Sequence, residues 1–253
     1  PQEVIKIFQH RGIQQPFDWQ VECLDSQPLR NDQNFIYALP TSAGKTFVSE
    51  VMILRKMLKY KRTRRRLWDT SVVPCKCMIV FPYVSLCEEK RGDFLEFGDA
   101  VGFSVEYYYD HMGKFPLVPR AQQLYIATIE KAERIMTTLL EEGRAGELGL
   151  VVVDELHFLG ENNRGCILET LLTRLKTFVP TCQIVGMSAT LPNLRDVELW
   201  LNAQKFDGSE LDRPVELLEH VVFPPGQQIK HKKGNCIEKF ERPGDALTAL
   251  VKE

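Results

Sequence analysis

Three short clusters hold side chains capable of chemistry. The first is Pro40-Thr41-Ser42-Ala43-Gly44-Lys45-Thr46. It lies between an apolar run and an amphipathic stretch, the strand–loop–helix setting a phosphate loop needs. Inward backbone N–H groups and a helix N-terminus would hold phosphate there. Lys45 is expected to reach the β- and γ-phosphates, and Thr46 to place its hydroxyl on Mg²⁺. Leu39 stands where generic phosphate loops carry their first glycine. The second cluster is Asp154-Glu155-Leu156-His157, directly after Leu150-Val151-Val152-Val153. Adjacent carboxylates at the end of an apolar strand are costly unless they bind a cation or do chemistry. Asp154 is expected to hold Mg²⁺, and Glu155 to orient and deprotonate the attacking water. The third is Ser188-Ala189-Thr190, whose hydroxyls could bond the carboxylate segment and report nucleotide state.

These clusters need a frame. Short apolar runs occur at Phe35–Leu39, Cys77–Phe81, Phe103–Tyr108, Leu124–Ala127, Leu150–Val153 and Gln183–Met187. Runs without polar alternation suit strands buried on both faces. Longer stretches at 45–60, 83–97, 129–142, 164–178 and 193–202 read as helices; Phe47, Val51, Leu54 and Leu58 share one face of the first. The alternation predicts an α/β fold, a mostly parallel sheet flanked by helices on both faces. Ligands bind at the carboxyl ends of such strands, where all three clusters fall. Two short helices are expected before it, around Val4–Phe8 and from Asp18 through Cys23.

Composition narrows the class. The chain has 253 residues, 44% hydrophobic and 26% charged, with a formal net charge of −2. No apolar run approaches the roughly 18 residues of a membrane span, and no secretory leader pattern is present. The near-neutral charge neither supports nor excludes a nucleic-acid partner. Seven cysteines include one close pair, Cys75 and Cys77, with nothing to complete a zinc site; reduced intracellular thiols are expected. The basic segment 59–76 reads as a solvated loop, with an import signal or an auxiliary strand contact as alternatives.

The order GKT, DELH, SAT resembles that of superfamily 2 helicases. The runs 42–46, 152–157 and 186–193 look like the Ski2-like branch. Tyr125–Lys131, Leu148–His157 and Arg164-Gly165 after Gly160-Glu161 resemble helicase Q and the helicase domain of polymerase theta, and Gly102–Glu106 with Gly113–Pro116 favours the former. The resemblance spans nearly the whole chain. It implies a RecA-like P-loop domain that uses ATP and Mg²⁺. Gln20, after Phe17 and Trp19, matches the glutamine that reads adenine, beside the nucleotide contacts Thr41, Ser42, Ala43, Gly44, Lys45 and Thr46. His157, Ser188 and Thr190 match elements that couple the nucleotide site to the motor. Pro82, Lys90, Thr128 and Lys131 match contacts to the nucleic-acid backbone; Arg164 fits either such a contact or a structural ion pair.

The same resemblance implies a 3′-to-5′ DNA helicase that acts on single-stranded DNA in repair, with DNA-repair proteins as partners, in the nucleus and not at a membrane. The expected organisation is a helical segment over 1–30, the first motor domain over 31–213, a linker over 214–244 and the start of a second motor domain over 245–253. The chain opens on Pro1 and carries one set of motor motifs, so it is expected to be part of a longer protein. An RNA helicase of the same branch and a nucleotide-gated scaffold that never translocates are the alternatives.

Overall fold

A computed structural model describes residues 1–40, 42–67, 75–189 and 194–207, together with the short strands 220–221, 228–231 and 237–239. The chain divides into two compact units, Pro1–Asp212 and Arg213–Glu253.

The first unit is built on a seven-stranded sheet. In chain order its strands are β1 (Phe35–Ala38), β2 (Cys75–Phe81), β3 (Ser104–Tyr108), β4 (Gln122–Thr128), β5 (Leu148–Val153), β6 (Gln183–Ser188) and β7 (Gln204–Asp207). They lie in the order β3-β4-β2-β5-β6-β1-β7, and every pairing is parallel. This is the expected class, a RecA-like α/β sheet. The central strands are buried along their whole length because helices cover both faces: β1, β2 and β6 hold no exposed position. The apolar residues form two clusters, one on each side. Tyr37, Ile79, Val152 and Val185 belong to the first; Ile36, Met78, Val151 and Ile184 belong to the second. Neighbouring residues on one strand thus serve opposite cores, as the two-residue repeat of a strand requires.

The helices are α1 (Gln2–His10), α2 (Asp18–Asp25), α3 (Gln27–Arg30), α4 (Lys45–Leu67), α5 (Val84–Val101), α6 (Ile129–Glu141), α7 (Arg164–Phe178) and α8 (Leu194–Leu201). The structure corrects the reading of 59–76 as a loop at its amino end: α4 runs on to Leu67, and β2 begins at Cys75. Lys and Arg are good helix formers, and this turn is anchored. Tyr60 is buried, Lys59 pairs with Asp32 at 2.6 Å, and Lys61 donates to the Val101 carbonyl at 2.6 Å, a basic residue on a helix C-terminus. Residues 68–74 lie outside the described set.

Because every strand points the same way, all carboxyl ends share one edge. Two close backbone approaches fix the segments there. The Asp154 N–H donates to the Val80 carbonyl at 2.9 Å, and the Leu39 N–H donates to the Ser188 carbonyl at 3.2 Å. A 3-10 turn, Leu156–Gly160, then connects β5 towards α7. At Gly165 the start of α7 presses on that turn: a Cβ there would lie 2.7 Å from the Leu159 oxygen and 2.9 Å from the Phe158 oxygen. Among the described residues no helix is long and apolar enough to cross a membrane. Six described cysteines are free, and five of them are buried.

The second unit carries a three-stranded antiparallel sheet, β10-β9-β8, of β8 (His220–Val221), β9 (Gln228–His231) and β10 (Ile237–Lys239).

The packing at Gly165 makes a direct prediction. Gly165→Ala should lower unfolding stability by about 1–3 kcal/mol, since backbone oxygens cannot step aside as a flexible side chain can. Urea denaturation of the variant beside the unsubstituted protein measures this, and an unchanged midpoint would contradict the packing.

Candidate nucleotide site and strand-facing edge

The loop between β1 and α4 carries the phosphate-binding pattern. Ser42 and Gly44 adopt positive φ, 62° and 84°, so the backbone coils tightly before α4 begins. Gly44 is required twice over. Its φ favours glycine, and a Cβ there would sit 2.8 Å from Gln20 Nε2. Lys45 is the first residue of α4 and is buried, with 8% exposure. Its ammonium donates to the Leu39 carbonyl at 2.9 Å and the Pro40 carbonyl at 3.3 Å. Tyr37, fully buried in β1, donates its hydroxyl to the Lys45 carbonyl at 3.1 Å, so the sheet itself holds the lysine's backbone. Sequence reading missed Tyr37; a tyrosine within an apolar strand was its only signal. Thr46 is half-buried beside Lys45, and Ala43 is buried. Thr41 lies outside the described residues.

Gln20 is 3% exposed. Its amide oxygen accepts from the Phe17 N–H at 2.9 Å, and its amide nitrogen donates to the Gly44 carbonyl at 2.9 Å. It therefore braces the phosphate loop against the start of α2. A cavity of about 520 Å³ opens alongside, lined among others by Arg11, Phe17, Gln20, Gly44, Thr46 and Lys90. Lys90 thus faces the loop side of the unit, within reach of Asp93 at 3.6 Å.

At the end of β5 the two carboxylates meet different surroundings. Burial and the Glu155 charge push Asp154 up to about 6, against the pull of the Glu155 N–H, Lys45 and Lys90. Asp154 Oδ1 accepts the Glu155 N–H at 2.9 Å. Glu155 sits at φ 51°, ψ 53°, the left-handed region that non-glycine residues rarely occupy. Strained backbone of this kind collects at functional sites. Its Oε2 is buried without a hydrogen-bond partner; His157 Nδ1 lies 3.3 Å away. The same Nδ1 lies 3.4 Å from Ser188 Oγ. The structure thus brings Glu155, His157 and Ser188 together; Thr190 lies outside the described residues. Among the described residues no group of three or more His, Cys, Asp or Glu could hold a metal. The elevated Asp154 instead fits a cation whose remaining ligands would come from a triphosphate.

The other predicted contacts gather on the same carboxyl edge. Pro82 follows β2 and is buried, while Tyr83 beside it is 53% exposed. Thr128 ends β4 and precedes α6, with Lys131 half-buried in the first turn of that helix. Arg164 opens α7. Its guanidinium pairs bidentately with Glu130, at 2.6 and 3.2 Å. Burial pushes the Glu130 carboxyl up, but the Arg164 hydrogen bond, the residue's own backbone N–H and the Arg164 charge prevail and hold it below the ordinary range. Arg164 also lies 5.8 Å from the ring centres of Tyr83 and Phe158. Lys90 does not join this group.

With that geometry in place, the comparisons decide the family. Residues 19–197 match the DEAD/DEAH box helicase model. The chain belongs to this family. It is 39% identical over its whole length to the "Helicase POLQ-like" of Homo sapiens, covering 23% of that protein. It is 37% identical to the DNA polymerase theta of Mus musculus, over 95% of the chain and 9% of that protein. It is 31% identical to the ATP-dependent DNA helicase Hel308 of Methanococcus vannielii, over 98% of the chain and 32% of that protein. The resemblance to helicase Q and polymerase theta read from the motifs is borne out, and the chain spans under a third of these relatives. Among solved structures, S. cerevisiae Dbp5 bound to Nup159, Gle1, IP6 and ADP superposes with a TM-score of 0.63 at 18% identity. That match covers 84% of this chain and 53% of that one. The DUF1998 helicase MrfA bound to DNA gives 0.56 at 16% identity, covering 82% and 28%. At such identities these two speak for the fold alone.

The elevated Asp154 has a stability consequence with a definite sign. Burial pushes its carboxyl up to about 6, above the ordinary aspartate value of 3.8. The folded state therefore binds the proton more tightly, and Asp154 costs stability above pH 6 that is recovered as pH falls towards 4. Asp154→Asn should stabilise the ligand-free protein at pH 8 by up to about 3 kcal/mol, and by little at pH 4. Denaturation at both values tests this; a gain that is equal at the two pH values would refute it.

Proposed function

We propose that this chain is the first of two RecA-like motor domains in an ATP-dependent DNA helicase that moves 3′ to 5′ on single-stranded DNA. The carrying observation is the orphaned Glu155 carboxylate beside the elevated Asp154, on the same sheet edge as Lys45 and Thr46. The similarity to a DNA polymerase theta and to an ATP-dependent DNA helicase supports DNA as the track. A role in repair and a nuclear location extend the same resemblance.

Each residue has a task in this reading. Lys45 leaves the Leu39 and Pro40 carbonyls and turns its charge to the phosphates. Thr46 and Asp154 would hold the cation, and Gln20 would present its amide to the adenine. Bound Mg²⁺ would screen phosphate charge and make the terminal phosphorus easier to attack. Glu155 uses its free oxygen to align a water and take its proton. His157, between Glu155 and Ser188, senses whether that oxygen is engaged. Pro82, Thr128, Lys131 and Arg164 grip a backbone that carries little base information. ATP closes the two motor domains on the strand and release reopens them. An arginine from the second domain would complete the site; such a residue is worth roughly 10³–10⁵ in rate, so the 253-residue chain alone should turn over ATP very slowly.

In the full-length protein, Glu155→Gln should cut DNA-stimulated ATP turnover by about 10²–10⁴ with ATP still bound, whereas Lys45→Ala should lose ATP binding. Steady-state turnover with single-stranded DNA or RNA, beside nucleotide titration, reads both. Stimulation by RNA in place of DNA, or full turnover by the Glu155 variant, would overturn the proposal.

A further inference from the structure

A continuous set of contacts joins the strand-facing edge to the hydrolysis carboxylate. Glu130, two residues beyond the buried Thr128, holds Arg164 through two hydrogen bonds. Arg164 lies against both Tyr83 and Phe158. Those rings meet edge to face, 5.5 Å between centres at 83°, a favoured aromatic geometry. Phe158 in turn lies 5.4 Å from the His157 ring. His157 Nδ1 faces Glu155 Oε2 at 3.3 Å. Phe158 is 5% exposed, whereas Tyr83 is half-open to solvent. The inner ring is fixed and the outer one is free to meet a ligand.

The mounting of Phe158 is stiff. The Phe158 N–H donates to the Glu155 carbonyl at 2.9 Å, and Gly165 packs directly on the Phe158 and Leu159 oxygens. A shift of the α7 N-terminus therefore carries the 3-10 turn with it, and the turn contains His157. Glu155 stands at the hinge of that movement, in a left-handed backbone conformation. Phosphate competing for Arg164 would loosen its pair with Glu130, and the displacement would pass through the two rings to His157.

Resting on the motor reading above, we propose that Phe158 is the positioning residue through which nucleic acid on the Pro82–Thr128–Arg164 edge sets the place of Glu155. Phe158 touches neither nucleotide nor strand in this scheme. It acts by holding Arg164 and Tyr83 on one side and His157 on the other. Such a coupling claim needs a perturbation that separates coupling from binding and from folding.

The test is made in the full-length protein with ATP and single-stranded oligodeoxythymidine. Phe158→Leu keeps apolar volume but removes the ring; Phe158→Tyr keeps the ring. The leucine variant should lose about tenfold of the strand stimulation of ATP turnover, while strand affinity and strand-free turnover stay within about threefold of the parent. The tyrosine variant should retain stimulation. Normal stimulation of the leucine variant, in a parent that is itself stimulated, overturns this proposal alone. So does a parallel fall of melting temperature and of turnover with and without strand, which marks a packing role, or a loss confined to strand affinity. A parent that no strand stimulates overturns the motor reading, and this inference with it.

Discussion

Two adjacent carboxylates at the end of a fully buried strand are the constraint around which the rest of the first unit is arranged. Asp154 and Glu155 are only partly open to solvent, because β5 is the middle strand of seven and its last four residues are buried. Nor can they neutralise one another. The fold leaves Asp154 elevated and Glu155 with an oxygen that nothing satisfies. A buried acceptor without a donor costs about 1–3 kcal/mol. That cost is tolerable only where the missing partner arrives in use. Lys45 stands in the converse position, a buried ammonium resting on two backbone carbonyls. Positive and negative groups thus meet at one strand edge, where the Lys45 charge pulls the Asp154 carboxyl down against its burial.

An all-parallel sheet makes this possible at the level of topology. Crossovers return every strand in the same direction, so the ends of β1, β2, β4, β5 and β6 all meet one edge. The order places β6 between β1 and β5. That alone puts Ser188 between the phosphate loop and the carboxylate pair. The Leu39–Ser188 backbone bond and the His157–Ser188 approach are its two consequences. β2 and β4 end on the other side of β5, so Pro82 and Thr128 are separated from the phosphate loop by two strands, β5 and β6. In the motor reading proposed above, hydrolysis and grip are therefore neighbours across β5, and α7 with its preceding turn spans them.

Much of this was legible in the sequence because burial on both faces leaves an unmistakable pattern. Five of the seven strands show as largely apolar runs, and a sixth, β3, as the mixed run Phe103–Tyr108. The seventh, Gln204–Asp207, does not. It is an edge strand whose polar residues sit beside β1 with one side unpaired, so composition alone resembles a loop. β2 begins earlier than its apolar run because Lys76 is buried. Its ammonium finds Gln123, Glu147 at 3.2 Å and the Tyr125 ring, partners supplied by β4 and the segment before β5. The continuation of α4 through its basic turn was hidden for a related reason: charge suggested solvent, while the anchors Asp32 and the Val101 carbonyl come from remote parts of the chain.

For the candidate site, motif order picks out the residues but not their geometry. The spacing of Asp154, Glu155 and His157 says nothing about a left-handed backbone at Glu155, yet that one dihedral turns a strand ending into a carboxylate presented beside an imidazole. Lys90 reads as part of the same motif as Pro82, but α5 carries it round to the loop-side cavity. The ring contacts of Tyr83, Phe158 and Arg164 come from three separate elements, so no periodicity foretells them. Arg164 itself shows why sequence left two readings open. A bidentate pair with Glu130 is what a structural arginine makes, and a guanidinium held at the mouth of a strand-facing edge is what a phosphate contact needs. An ion pair that is about 26% and 45% exposed on its two sides is worth little in stability, so exchanging the carboxylate for a phosphate costs the fold little, and the same residue can serve both roles in turn.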